Sequence, residues 1–312
     1  MEHVLSLSYG KDSLACLGAI EELGWPLDRI VHAEVWATDT IPADLPPMVE
    51  FKAKADEIIK ARWGIEVEHV CAMKDGKKVT YESIFYREIN PKRERERECA
   101  QCEDSRGTTG HGAWIGSKPT SSTRIYGFPI VRGQWCNSAL KMPPLRMANQ
   151  HQTRELVHEA QDKRFPLAPE RGRENIVQYI GIAADEPNRF HNLTDTKRSP
   201  LVVAGWDEAY CRKWCEDNDL LSPIYTTATR GGCWFCHNQG IGQLRLLRKN
   251  YPEYWQMMLK WDKDSPVTFK PDGRTVHDFD ERFQLEDEGF ILPDEKFRWS
   301  MLEDGGVNYR LF

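Results

Sequence analysis

Six consecutive residues, Ser8-Tyr9-Gly10-Lys11-Asp12-Ser13, follow a short apolar run and precede a stretch with helical periodicity. A strand, a tight glycine-containing turn and a helix N-terminus together make an anion site. The turn amides point outward and the helix dipole adds partial positive charge. In that setting Ser8 and Ser13 offer hydroxyls, Lys11 offers a mobile cation, and Gly10 lets the backbone approach a phosphate closely. Asp12 is placed to cap the helix or to help hold a magnesium ion. This is not a Walker A loop, which needs a glycine five residues before its Gly-Lys pair and a Ser or Thr after the lysine. Leu5 and Asp12 stand at those places. The competing reading is a capped helix after a turn, without a ligand.

The thiols are the second source of chemistry. Cys233 and Cys236 form Cys-Trp-Phe-Cys behind Arg230-Gly231-Gly232. That spacing lets two thiolates meet one metal from a tight turn, and tetrahedral thiolate sites suit zinc as well as iron. Cys99 and Cys102 form a second Cys-x-x-Cys. With His111 they make either a small zinc knuckle or a loop of spare thiols. Cys211 and Cys215 lie at i and i+4 on an expected helix; Cys211 reads as core and Cys215 stays open. Cys16 and Cys71 read as core, since free cysteine is commonly buried.

Hydropathy periodicity gives the elements that must position these groups. Residues 3–7, 29–36 and 65–71 read as strands, and residues 13–23 as a helix. Residues 47–63 read as an amphipathic helix with Val49, Ala53, Ala55, Ile58 and Ile59 among its apolar positions. Residues 176–182 are apolar throughout, as a central parallel strand should be. Strands separated by helices predict an α/β fold with a doubly wound, mostly parallel sheet. Residues 91–127 break the rhythm with a KRERERE run, a CAQC segment and a Gly/Ser/Thr-rich stretch, and read as an insertion at the sheet's rim. Beyond Gly240 the chain turns helical and Trp-rich, and from Ser265 it looks irregular. The expected domains are residues 1–240, nucleotide-binding, with the insertion at about 91–127, and residues 241–312, a helical extension. Thr38, Asp39 and Thr40 fall at the C-terminal end of the second strand, where open α/β sheets bind ligands.

The opening hexapeptide resembles the PP-loop signature Ser-Gly-Gly-x-Asp-Ser of ATP pyrophosphatases, with Tyr9 in place of the first glycine. "WATDTIPADLP", "GIAADE", "WDEAYCRKWC" and "LSPIYTTATRGGCWFC" follow in order. Together they are similar to the phosphoadenosine-phosphosulfate (PAPS) reductase family of the PP-loop (N-type) superfamily, from residue 1 to about residue 240. The resemblance implies an adenine nucleotide α-hydrolase-like fold. It implies that the loop, Ser8 to Ser13, grips the pyrophosphate of ATP with magnesium while ATP is split at the α-phosphate. Lys11, Asp12, Ser13 and Arg230 are then the expected catalytic group. Val35 and Trp36, whose backbone edge would read adenine, join Asp39, Thr40, Lys141 and Asp185 as expected nucleotide contacts. Family members with a [4Fe–4S] cluster join a Cys-Cys pair to a later Cys-x-x-Cys. Here "GQWCNSALKMPPL" matches with Cys136, Lys141, Pro144 and Leu145, but Trp135 stands where the first cysteine of the pair would be. The implied ligands are Cys136, Cys233 and Cys236, for a cluster or for zinc. The fourth ligand stays open among Cys215, His237, a thiol of the insertion and none from the protein. Arg132 is a further basic residue near these segments.

Composition bounds the reading. The chain has 312 residues, 40% hydrophobic and 29% charged, enough for a sizeable core. A net charge of −6 argues against a broad nucleic-acid surface, though not against a local basic groove. The start lacks the basic flank and apolar core of a signal peptide, which predicts a cytoplasmic protein with no membrane contact. Three functions remain in view. The first is an ATP pyrophosphatase that adenylates an acceptor and admits sulfur, with a nucleic-acid or small-molecule acceptor and a sulfur-donor protein as partners. The second is a reductase of PAPS or adenylyl sulfate, which needs a nucleophilic cysteine near the C-terminus. The last cysteine here is Cys236. The third is a nucleotide-binding module without chemistry. A homodimer is left open.

Overall fold

Alternate residues of the first strand face opposite ways, and both faces are apolar. Val4 and Val31 pack on one side of the sheet with Ala148, while Leu5, Ile30 and Val177 pack on the other. Such two-sided burial is what a parallel sheet covered by helices requires. The structure is a computed structural model that describes residues 1–89, 125–130, 135–148, 176–226, 231–293 and 299. Most of the expected insertion, with Cys99, Cys102 and His111, lies outside the described residues, as do Arg132 and Arg230.

The contact pattern divides the chain into two units. The first contains Met1–Tyr81 and Gln134–Gln243, and the second Glu82–Gly133 and Leu244–Phe312. In the first unit the order is β1 (Glu2–Ser6), α1 (Lys11–Leu23), β2 (Arg29–Glu34), α2 (Pro46–Trp63) and β3 (Val67–Cys71), followed by a hairpin of β4 (Met73–Lys74) and β5 (Lys77–Lys78). The short helix α3 (Tyr81–Phe85) starts at the unit's last residue before the break and lies mostly in the second unit; the first unit resumes with β6 (Ile176–Tyr179), β7 (Lys197–Arg198), α4 (Pro200–Ala204) and α5 (Glu208–Asp217). The sheet is parallel in every pairing, in the order β3-β2-β1-β6-β7. The order reverses between β1 and β6. Open α/β sheets bind ligands at such a reversal, beyond the carboxyl ends of the strands. This is an α/β architecture.

Helices α1, α2, α4 and α5 bury their apolar faces in one cluster, which includes Cys16, Cys211 and Cys215. The first two thiols are core, as expected. Cys215 joins them there, and its thiol donates to the Lys11 carbonyl at 3.3 Å, so it is not a ligand beside Cys233. Helix α2 differs from its sequence reading. Its buried residues are Phe51, Lys52, Ala55 and Ile59, and Val49 is exposed. The buried stripe still has helical spacing but is turned toward Lys52. The hairpin went unread, although Asp75 and Gly76 both adopt positive φ, as a two-residue hairpin turn demands.

The second unit contains α6 (Ile241–Asn250, from its first residues in the preceding unit), α7 (Pro252–Asp264) and α8 (Val276–Asp287). Phe85, Phe128, Trp261 and Phe269 form its aromatic centre, with Phe85 and Phe128 centroids 5.4 Å apart and Phe128 and Phe269 5.2 Å apart. Among the described residues of the tail, residues 276–287 are helical rather than irregular. Helix α8 starts at a capping box in which the Thr275 side chain and the Asp278 side chain bond each other's backbone N–H.

Helix α1 meets α5 through Gly18. A Cβ there would lie 2.3 Å from the Trp214 ring. Gly18→Ala should therefore destabilise the fold by about 1–3 kcal/mol, as overpacking does. A urea titration would read this as a lower midpoint with an unchanged slope.

Candidate functional site

The chain leaves β1 at Ser6 and starts α1 at Lys11, so the turn between them is short. Tyr9 makes this possible by adopting a left-handed conformation, φ 55, where the PP-loop signature has a glycine. Its ring is fully buried and its hydroxyl donates to Asp56. Ser13 locks the turn from inside. Its hydroxyl donates to the Gly10 carbonyl at 2.9 Å and accepts from the Ser8 amide at 3.1 Å and the Ser8 hydroxyl at 3.0 Å. Gly181, just past β6, packs on the start of α1: a Cβ there would lie 2.7 Å from the Ser13 nitrogen. From the other side, the Tyr225 hydroxyl accepts the Lys11 amide at 2.9 Å.

A cavity of about 290 Å³ opens at the carboxyl ends of β1 and β2. Ser8, Tyr9 and Gly10 form one wall, and Gly231, Gly232 and Cys233 another. Val35 and Met48 give it an apolar side, and two lysines, Lys52 and Lys141, reach it. Lys11 does not line it. The Lys11 ammonium is paired with Asp12 at 2.7 Å and with Glu208, in the first turn of α5, at 3.2 Å. Asp12, Glu186 and Glu208 gather within 4.8 Å around that pairing, the one such set of three among the described residues. Burial raises the Asp12 carboxyl, and Lys11 opposes the rise.

A buried polar network supports the loop. Lys52 Nζ donates to Asp44 at 2.5 Å and to His32 Nε2 at 2.8 Å, and His32 Nδ1 donates to the Leu7 carbonyl at 2.8 Å. This fixes the His32 tautomer. Burial, with Lys52 next, pulls His32 down to about 3, so its ring is neutral. His69 is the opposite case. Its nitrogens donate to Asp56 at 2.8 Å and Glu34 at 3.0 Å, and these carboxylates raise it to about 9.

Aromatic packing brings the cysteine segments together. Trp234 donates its backbone N–H to the Ala43 carbonyl and its indole N–H to the Pro42 carbonyl, both at 2.9 Å. The Cys-x-x-Cys turn is thereby fixed on the loop after β2. Phe235 packs on Tyr81 at 4.2 Å and Tyr81 on Trp135 at 5.0 Å. Trp135, where the resembled pattern has a cysteine, is thus a buried wedge beside Cys136. Cys136, Cys233 and Cys236 all act electrostatically on Tyr81 and Lys141. They share one neighbourhood, though the three thiols do not all lie within 4.8 Å of one another. Burial pushes Cys233 up to about 12, against the pull of Lys141. Lys141 sits at the end of a π-helical turn, Asn137–Lys141, and Cys233 is the main influence that raises it. Three thiols with a lysine beside them fit a thiolate-bound group. A single zinc with bonds of about 2.3 Å would hold its sulfurs about 3.8 Å apart, closer than at least one pair of these thiols stands.

The remaining expected residues fall outside the cavity. Trp36 lines a neighbouring cavity of about 360 Å³ with Glu34, Asp56 and His69. Asp39 and Thr40 are exposed in a turn whose amides bond the Thr38 hydroxyl. Asp185 accepts the Glu208 amide at 3.1 Å and so caps α5. Sequence reasoning missed His32, Asp44, Met48, Lys52 and Tyr225. Asp44 and Tyr225 lie in segments that carry the resemblance, but nothing in their spacing marks them, and His32, Met48 and Lys52 lie outside those segments. Comparison with family models, curated proteins and solved structures gives no significant match for this chain. No helix among the described residues is long and apolar enough to cross a membrane.

Two outcomes follow. Gly181→Ala drives a Cβ into the backbone of Asp12 and Ser13, so it should distort the loop and lower the thermal midpoint; differential scanning calorimetry measures this. The folded-state value of His69 is raised above its ordinary 6.5, so its contribution to stability is complete below about pH 6.5 and is lost as pH rises through about 9. Denaturation midpoints across that window should fall in the wild type and flatten in His69→Gln.

Proposed function

We propose that this chain is a PP-loop enzyme of the PAPS reductase family with an adenine nucleotide α-hydrolase-like fold. It would bind ATP with magnesium, cleave it to AMP and pyrophosphate, and support sulfur transfer to a nucleic-acid or small-molecule acceptor. The observation that carries the reading is one cavity that gathers the Ser8–Gly10 loop, Lys52, Lys141 and Cys233. Its place beyond the carboxyl ends of β1 and β2, next to the β1/β6 reversal, is where such sheets take nucleotides.

In this reading the loop amides and lysines hold the pyrophosphate, and Val35 and Met48 cover the base. An acceptor oxygen attacks the α-phosphorus, the bond to the bridging oxygen breaks, and pyrophosphate leaves. Preorganised amides and cations stabilise the charge that develops on the leaving group. Hydrosulfide from a donor then attacks the acceptor atom bearing the adenylate, and the oxygen departs with AMP. The acceptor thus exchanges oxygen for sulfur without net oxidation. Cys136, Cys233 and Cys236 would hold an iron–sulfur cluster, which when bound supplies an iron able to carry sulfide. Lys141 lines the cavity beside Cys233 and would balance the thiolates' charge.

The test offers the protein ATP and PAPS in parallel. Pyrophosphate released from ATP when an acceptor is present is the expected result. Sulfite from PAPS with thioredoxin, and no pyrophosphate with any acceptor, would favour the reductase instead.

A further inference from the structure

The lysine of the loop motif is turned away from the cavity, and another lysine stands in its place. Lys11 is committed to Asp12 and Glu208 and does not line the cavity. Lys52 reaches the cavity from α2, 8% exposed as a residue. Burying an ammonium is costly unless its hydrogens are satisfied and its charge is balanced. Asp44 supplies the balancing charge and one acceptor, at 2.5 Å. His32 Nε2 supplies a second acceptor, at 2.8 Å.

An ammonium has three hydrogens. Among the described residues no acceptor takes the third. The Tyr9 ring lies beneath the ammonium, 5.2 Å from Nζ to the ring centre. Lys52 is therefore beside the middle of the loop, and through His32 it is tied to the Leu7 carbonyl at the loop's start. Lys141 approaches the same cavity beside Cys233. The two cations flank the space next to the Ser8–Gly10 backbone, which is the arrangement a polyphosphate needs.

We infer that Lys52 is the cation that meets the phosphates in this cavity, with His32 and Asp44 as the positioning residues that fix its ammonium. The inference rests on the nucleotide reading and adds a binding residue to it. It also separates the two partners of one ion pair by function. Lys52 attracts the ligand, whereas Asp44 orients Lys52 but repels the ligand's charge. A purely structural ion pair makes no such distinction, because losing either partner leaves the other buried and uncompensated.

The experiment measures binding of ATP and of inorganic pyrophosphate, each with magnesium, by calorimetry on the full chain, with thermal midpoints recorded alongside. Lys52→Met should weaken both ligands at least tenfold. Asp44→Asn should bind pyrophosphate more tightly, by a few-fold, since His32 still holds the ammonium. Both variants should melt earlier than the wild type. Weakening by both variants, unchanged binding by Lys52→Met, or a loss confined to ATP would each overturn the assignment. If Lys52→Met does not fold, Asp44→Asn decides alone: tighter pyrophosphate binding supports the assignment and weaker binding overturns it. A wild-type chain that binds neither ligand removes the nucleotide reading itself, whereas one that binds both while Lys52→Met is unchanged removes only the role of Lys52.

Discussion

The hydrogen bond from the Tyr9 hydroxyl to Asp56 holds the loop after β1 in shape. A non-glycine residue in the left-handed region gives up about 1–2 kcal/mol of backbone energy. Tyr9 does so in the turn between β1 and α1, and its buried ring offsets that loss. The ring packs edge-on against His32 at 4.7 Å and lies near-parallel to His69 at 6.1 Å. A glycine would turn as readily but would anchor nothing. The loop therefore owes its shape to α2 and β3, which carry Asp56 and His69, as much as to its own residues. Ser13 and Gly181 then fix the start of α1 from inside and from β6.

The same region shows how burial and charge divide two similar side chains. His32 and His69 have ring centres 5.5 Å apart. His32 is buried against a lysine and donates to a carbonyl, so it stays neutral and serves Lys52 as an acceptor. His69 is half-buried between two carboxylates and carries the charge. Two imidazolium ions at this separation would repel each other, and the repulsion reinforces the difference. Matched pairs result: Lys52 with Asp44 in the cavity beside the loop, and His69 with Asp56 and Glu34 in the neighbouring one.

The cysteine segments reach the cavity by aromatic packing. The indole of Trp234 binds the loop after β2, and Tyr81 bridges Phe235 to Trp135. Trp135 occupies the position of a cysteine in the resembled family, and it contributes packing where a thiol would contribute a ligand. Cys233 alone of the three thiols lines the cavity. This asymmetry gives the proposed sulfur chemistry a direction, from the thiol segment toward the loop.

Much of the α/β unit was legible in the sequence. Periodicity gave β1, α1, β2, α2, β3 and β6 to within a few residues, because each buries a face whose spacing the backbone geometry sets. The turn from Ser8 to Ser13 and the Cys-x-x-Cys turn were legible for the same local reason: each is set by adjacent residues. Two local signals were present and unread, the Asp75-Gly76 turn and the Thr275–Asp278 capping box. The direction of each lysine was a different matter. Lys11 sits in a phosphate-loop pattern yet pairs with Glu208, and Lys52 sits on an amphipathic helix yet faces the cavity with His32 and Asp44. Local sequence determined which residue types stand near the carboxyl edge of the sheet. Only the tertiary structure decided which of them share the cavity, because burial and pairing across distant segments set where a long charged side chain can rest.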